Sequence, residues 1–182
     1  MSEQLSLDIP EPSSGGGQVV FFAVTPGAAA SARLSAVGKQ ISDASLYPPA
    51  RFHISLLGLR LDVRSGDLDA MREVGSAVAA APFEIVLPTA CSFGNSLVLC
   101  CAAETTEAMT YLQHALLREA KMKWPLRAKG RYTPHLTLAY RAPRIPPTVL
   151  ADPVRWPARE FVLVGRDRRR DGYACFGRWP LN

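Results

Sequence analysis

Two of the chain's three histidines are followed by the same kind of word, His53-Ile54-Ser55-Leu56 and His135-Leu136-Thr137-Leu138, about 80 residues apart. Each reads histidine, apolar residue, hydroxyl residue, leucine. In an extended strand, side chains i and i+2 share a face. His53 and Ser55 therefore look one way while Ile54 and Leu56 look the other, and His135 with Thr137 repeats the arrangement against Leu136 and Leu138. If two such strands face one cleft, two imidazoles and two hydroxyls converge. A neutral imidazole can take a proton from an attacking oxygen while an imidazolium gives one to a leaving oxygen. An ordinary histidine pKa near 6.5 lets both forms coexist close to neutrality. The hydroxyls can donate to the non-bridging oxygens of a phosphoryl group, where transition-state charge gathers. This is acid–base phosphoryl chemistry, and the arrangement requires no metal and no cofactor.

Other side chains stand near these words in the sequence. Tyr132, three residues before His135, could stack on a base or ribose. Arg131 and Arg141 flank the second motif, and Lys123, Arg127 and Lys129 lead into it; an arginine can grip a phosphate with two hydrogen bonds. Tyr132 and Arg131 are taken as candidate substrate-binding residues. The cluster Arg166 to Arg170 reads first as a charged turn, and otherwise as a contact to an RNA backbone. The third histidine, His114, shares a helix face with Glu107 and Lys121 and reads as a solvated residue. The net charge of +5 and pI near 9.3 suit an anionic ligand without demanding one.

The elements that must position these groups follow from periodicity. Gln18 to Thr25 is a short apolar, β-prone run and reads as a buried strand, with Phe22 in the core. Thr25-Pro26 then opens a helix to about Ser42, with Thr25 as N-cap, Pro26 at the first helical position, and Leu34, Val37 and Ile41 on one face. After a proline-containing loop, 51–59 reads as a strand. Leu68 to Ala80 reads as a second amphipathic helix, 83–87 and 97–101 as strands around a Phe93-Gly94-Asn95 loop, and Glu104 to Met122 as a third helix. HLTLAY at 135–140 is the next strand. A proline-rich crossing (Pro143, Pro146, Pro147, Pro153, Pro157) leads to a strand at 160–164, a turn through Asp171-Gly172, and a returning strand at 173–178. The order lacks the regular alternation of a doubly wound sheet. The expected fold is α+β: two pseudo-symmetric lobes, each a mainly antiparallel sheet flanked by helices, with the active-site cleft between them.

Residues 1–17 are polar, end in Ser-Ser-Gly-Gly-Gly, and lack both a basic start and an apolar core. They read as a flexible arm ahead of one bilobal domain at 18–182, not as a signal peptide. A chain of this length buries roughly 70% of its extended surface, so its core needs no staples. Cys91, Cys100, Cys101 and Cys175 match no common zinc spacing and read as buried reduced thiols, which fits a cytoplasmic compartment. No apolar run approaches the roughly 18 residues that span a bilayer.

The tandem motifs resemble those of the two-histidine phosphoesterase superfamily, and in particular the LigT-like RNA 2′,3′-cyclic phosphodiesterases, historically labelled 2′-5′ RNA ligases. The resemblance extends to the Phe21-Phe22-Ala23 strand, the Leu-Leu-Gly after the first motif, the Pro-His-x-Thr-Leu form of the second, and the Trp179-Pro180-Leu181 ending. It implies that His53 and His135 are the acid–base pair and that Ser55 and Thr137 bind phosphate. It further implies that His53 protonates a departing 3′ oxygen while His135 activates water, leaving a 2′-phosphate. Ligation is the same chemistry reversed, with a 5′-hydroxyl replacing water. Ser55 departs from the usual threonine, and HISLLGL lacks an aromatic before Leu-Gly. The implied partner is an RNA or oligonucleotide end bearing a cyclic phosphate, bound by a monomer. A cyclic phosphate of a small nucleotide or ADP-ribose derivative is the alternative substrate, and a nucleotide- or RNA-binding module without turnover is the alternative class.

Overall fold

The computed structural model describes residues 18–61, 65–126, 131–166 and 172–182. The arm at 1–17, the basic residues Arg127 and Lys129, and the arginines at 167–170 lie outside the described residues. Eight strands and three α-helices follow one another as β1 (Gln18–Val24), α1 (Ala28–Ile41), β2 (Ile54–Leu61), α2 (Ser65–Ser76), β3 (Phe83–Phe93), β4 (Ser96–Cys100), α3 (Ala103–Lys121), β5 (His135–Tyr140), β6 (Thr148–Ala158), β7 (Glu160–Arg166) and β8 (Tyr173–Pro180). The fold is α+β, as the periodicity implies.

All strand pairings among the described residues are antiparallel, and the sheet order is β6-β3-β4-β5-β2-β1-β7-β8. Two four-stranded halves are visible in that order, one carrying each histidine word on its innermost strand. They join through a single pair of residues, Ile54 opposite Leu136. The lobes are therefore hydrogen-bonded into one sheet, thinnest where the two motifs meet.

One face of the sheet carries the core. Val20, Phe22 and Val24 of β1, Ile54 and Leu56 of β2, and Leu136 and Leu138 of β5 pack in the same cluster as Leu34 and Val37 of α1, Met71 and Val74 of α2, and Met109, Leu112 and Leu116 of α3. Burying each such side chain is worth about 1.5–3 kcal/mol. A slip of one residue in β2 or β5 would drive the imidazoles into this core and expose the leucines, so the register is firmly set.

Several elements differ from the expectation. Helix α1 starts at Ala28 with Gly27 as N-cap and no side-chain cap, so neither Thr25 nor Pro26 opens it. A short 3-10 turn, Pro49–Arg51, stands where the second strand is expected to begin, and β2 starts only at Ile54. His53 is thus the residue before the strand. Helix α2 ends at Ser76, and Phe93 ends β3 rather than sitting in a loop. The largest difference is β6, a whole strand in the proline-rich crossing, containing Pro153 and Pro157. Its edge position explains the tolerance, because an edge strand has one side on which a missing N–H breaks no ladder bond. Of the cysteines, Cys91 is buried, Cys100 and Cys101 are half-buried and Cys175 is exposed; all four are free. Among the described residues no helix is long and apolar enough to cross a membrane.

Candidate active site

The two histidines are held in the same way. The Nδ1–H of His53 donates to the carbonyl of Arg51 at 2.8 Å, and that of His135 donates to the carbonyl of Thr133 at 2.8 Å. A carbonyl can only accept, so both Nδ1 atoms carry their hydrogen, and Nε2 is the nitrogen left to take or give a proton. The 3-10 turn ahead of His53 and the irregular segment ahead of His135 supply these carbonyls two residues back along the chain.

The register brings the motifs together. Ile54 lies opposite Leu136 in antiparallel strands, so the residues directly following His53 and His135 are cross-strand neighbours. All four side chains belong to the sheet face opposite the core, where His53, His135 and Thr137 are half-buried and Ser55 is exposed.

Burial lowers the pKa of His53 from its ordinary value, the bond to Arg51 partly opposes this, and positive charge on His135 lowers it further. His135 is also lowered, again chiefly by burial and against the bond to Thr133. Cys100, strand-paired with His135, lies 3.1 Å in Sγ–Sγ distance from Cys91. Burial and the Cys91 thiol push Cys100 up to about 12, so it stays protonated and is no nucleophile near neutrality.

Aromatic rings hold each imidazole, and sequence reasoning does not single them out for the site. Phe21 lies 4.9 Å and Tyr173 lies 5.2 Å, centroid to centroid, from His53, while Phe93 lies 4.9 Å from His135. One signal is available for Phe21: consecutive phenylalanines on a strand point to opposite faces, and Phe22 takes the core. Nothing local marks Phe93 or Tyr173.

The other candidates are placed differently. Tyr132 packs its ring against the core cluster, on the face opposite the imidazoles, and its hydroxyl donates to the backbone carbonyl of Ser55 at 2.6 Å. Its ring and the exposed Arg131 line a groove of about 550 Å³ that also touches Glu107 and His114 of α3. His114 is exposed, as expected. Arg141 follows the far end of β5, roughly 20 Å along the strand from His135, and is not brought to the site. Lys123 pairs with Glu73 of α2 at 2.5 Å. Among the described residues no cluster of three or more His, Cys, Asp or Glu side chains could hold a metal ion.

Two histidine–hydroxyl words that meet at the centre of an antiparallel α+β sheet fit the class of two-histidine phosphoesterases. Residues 26–170 match the model of the 2′-5′ RNA ligase superfamily, and the chain belongs to that family, whose members act on phosphodiester bonds. No curated protein sequence matches significantly. Among solved structures, Escherichia coli LigT complexed with 3′-AMP is similar in fold, with a TM-score of 0.76 at 19% identity over 91% of this chain and 98% of that one. E. coli LigT complexed with phosphate gives a TM-score of 0.73 at 20% identity over 91% and 98%. The protein TT0787 of Thermus thermophilus gives 0.72 at 21% identity over 90% and 97%.

Proposed function

We propose that this protein hydrolyses 2′,3′-cyclic phosphate ends of RNA or oligonucleotides to 2′-phosphates, by paired histidine acid–base catalysis without a metal ion. The observation that carries this reading is the matched pair of imidazoles, each with Nδ1–H tied to a carbonyl and Nε2 left for proton transfer. Water attacks phosphorus as His135 Nε2 takes its proton, and a new P–O bond forms. The P–O3′ bond breaks, and His53 Nε2 delivers its proton to the departing 3′ oxygen. The products are a 2′-phosphomonoester and a free 3′-hydroxyl, and the two histidines return to their starting states by exchange with solvent. Ser55 and Thr137 donate to the non-bridging oxygens. In the free protein burial disfavours the imidazolium; a bound phosphodiester anion favours it and so charges the acid when substrate is present. The reverse reaction, with a 5′-hydroxyl in place of water, forms a 2′-5′ bond and is minor where water is abundant.

The test is turnover of a 2′,3′-cyclic-phosphate oligonucleotide in EDTA, with the terminal phosphate of the product located by NMR. Hydrolysis to a 2′-phosphate is expected. Loss of turnover in EDTA, or a 3′-phosphate product, overturns the metal-free mechanism or the assignment of leaving group respectively. Parallel assays with 2′,3′-cyclic mononucleotides and an ADP-ribose derivative bearing a cyclic phosphate separate RNA ends from small-molecule substrates.

A further inference from the structure

The two histidine words meet across a seam with very little backbone pairing. Only Ile54 and Leu136 register between β2 and β5, whereas β1 and β2 pair over seven positions and β4 and β5 over five. Pro134 stands directly ahead of β5, and proline has no N–H with which to extend the ladder. Beside this short junction stands the hydrogen bond from the Tyr132 hydroxyl to the carbonyl of Ser55, at 2.6 Å and spanning 77 positions of sequence. Tyr132 is three residues before His135, and Ser55 is two residues after His53. The bond therefore links the backbone of one motif to the chain that leads into the other. Its oxygen is committed to protein, and its ring packs against the core cluster.

We propose that Tyr132 is a positioning residue: its hydroxyl clasps the β2–β5 seam and sets the distance and angle between the two imidazoles. This rests on the acid–base reading of the site, and it differs from a role in substrate binding. A phosphoryl group passed between two proton-transfer atoms is sensitive to their spacing, since a misplacement of about 1 Å can cost on the order of a hundredfold in rate. The loss is expected in kcat, because binding of the phosphate by Ser55 and Thr137 needs only one donor in place at a time.

Tyr132→Phe keeps the ring and its packing and removes only the clasp. The expected result is a kcat about tenfold lower on a 2′,3′-cyclic substrate with KM changed less than about twofold. A second readout needs no turnover: NMR titration of the His53 and His135 ring protons in the free protein. The charge on His135 is felt at His53, so a loosened seam moves the His53 titration curve toward independent behaviour. Titration curves that superimpose on those of the wild type overturn the proposal, as does a rise in KM at constant kcat, which marks Tyr132 as a substrate contact. If the wild-type protein fails to turn over cyclic phosphates, the functional reading fails, and the titration curves alone decide whether the clasp exists. Dispersed ring signals in the same spectra establish that the variant is folded.

Discussion

The two histidine half-sites are alike in their hydrogen bonds and unlike in their surroundings. Both imidazoles give Nδ1–H to a carbonyl two residues earlier at the same distance. His53, however, sits between Phe21 and Tyr173, whose rings also meet each other at 5.1 Å. His135 has Phe93. The first motif begins ahead of its strand, after a 3-10 turn, and its hydroxyl Ser55 is exposed; the second begins its strand, and Thr137 is half-buried. Shared geometry at Nδ1 sets the same tautomer in both half-sites, whereas the ring neighbours and the exposure of the hydroxyls differ between them.

The strongest way to break the comparison is to remove one imidazole at a time. His53→Ala and His135→Ala should each lower kcat by about a hundredfold or more in a cyclic-phosphate assay, with unchanged circular dichroism. If either variant keeps near-wild-type turnover, the half-sites are not partners. Removing a hydroxyl should cost less: Thr137→Val keeps the shape, loses a donor, and should lower kcat by roughly tenfold to a hundredfold. Ser55→Thr makes the half-sites more alike and should change kcat by less than about tenfold, because the hydroxyl is kept and only its rotamer stiffens.

A pH profile sharpens the same comparison. Productive enzyme needs one imidazole neutral and the other protonated, and both pKa values lie below 6.5 in the free protein. The maximum of kcat/KM should therefore fall on the acid side of pH 6.5, between the two values, with a loss of about tenfold per pH unit well above it. Stability has a related sign. A histidine lowered on folding binds its proton more weakly in the native state. Its contribution is full above the unfolded value near 6.5 and is lost as pH falls through the folded value. Thermal melts should show Tm declining as pH drops below about 6.5, with a smaller decline in His53→Gln. The smallest expected effect belongs to the rings: Phe93→Leu should shift the titration of His135 while leaving that of His53 nearly in place.

Legibility in the sequence tracks the range of the interaction. The strand at 135–140 and the third helix are readable because period-2 and period-3.6 patterns are local. The strand β6 escapes such a reading because prolines argue against a strand unless it is an edge, and edge position is a property of the whole sheet. Its end still carries a faint signal, since Val154, Trp156 and Ala158 are buried while Arg155 and Pro157 are exposed. The start of α1 is displaced because Thr25-Pro26 is a good opening word that the chain does not use, extending to Gly27 first. Arg131 and Arg141 look equivalent as flanks of one motif, yet a strand's length separates them.

By itself the sequence determined which side chains share a face. Alternation along His53-Ile54-Ser55-Leu56 and His135-Leu136-Thr137-Leu138 commits the leucines to a core and the imidazoles and hydroxyls to the other side. Only the tertiary structure decided that β2 and β5 are neighbours, that Ile54 stands across from Leu136, and that Tyr132 spends its hydroxyl on Ser55. It also decided that Phe21, Tyr173 and Phe93 are the rings around the imidazoles. The physical reason is that a strand's period encodes facing but not partner. Partners separated by 77 positions are selected by closure of the whole sheet over its core, and no local word in the chain records that choice.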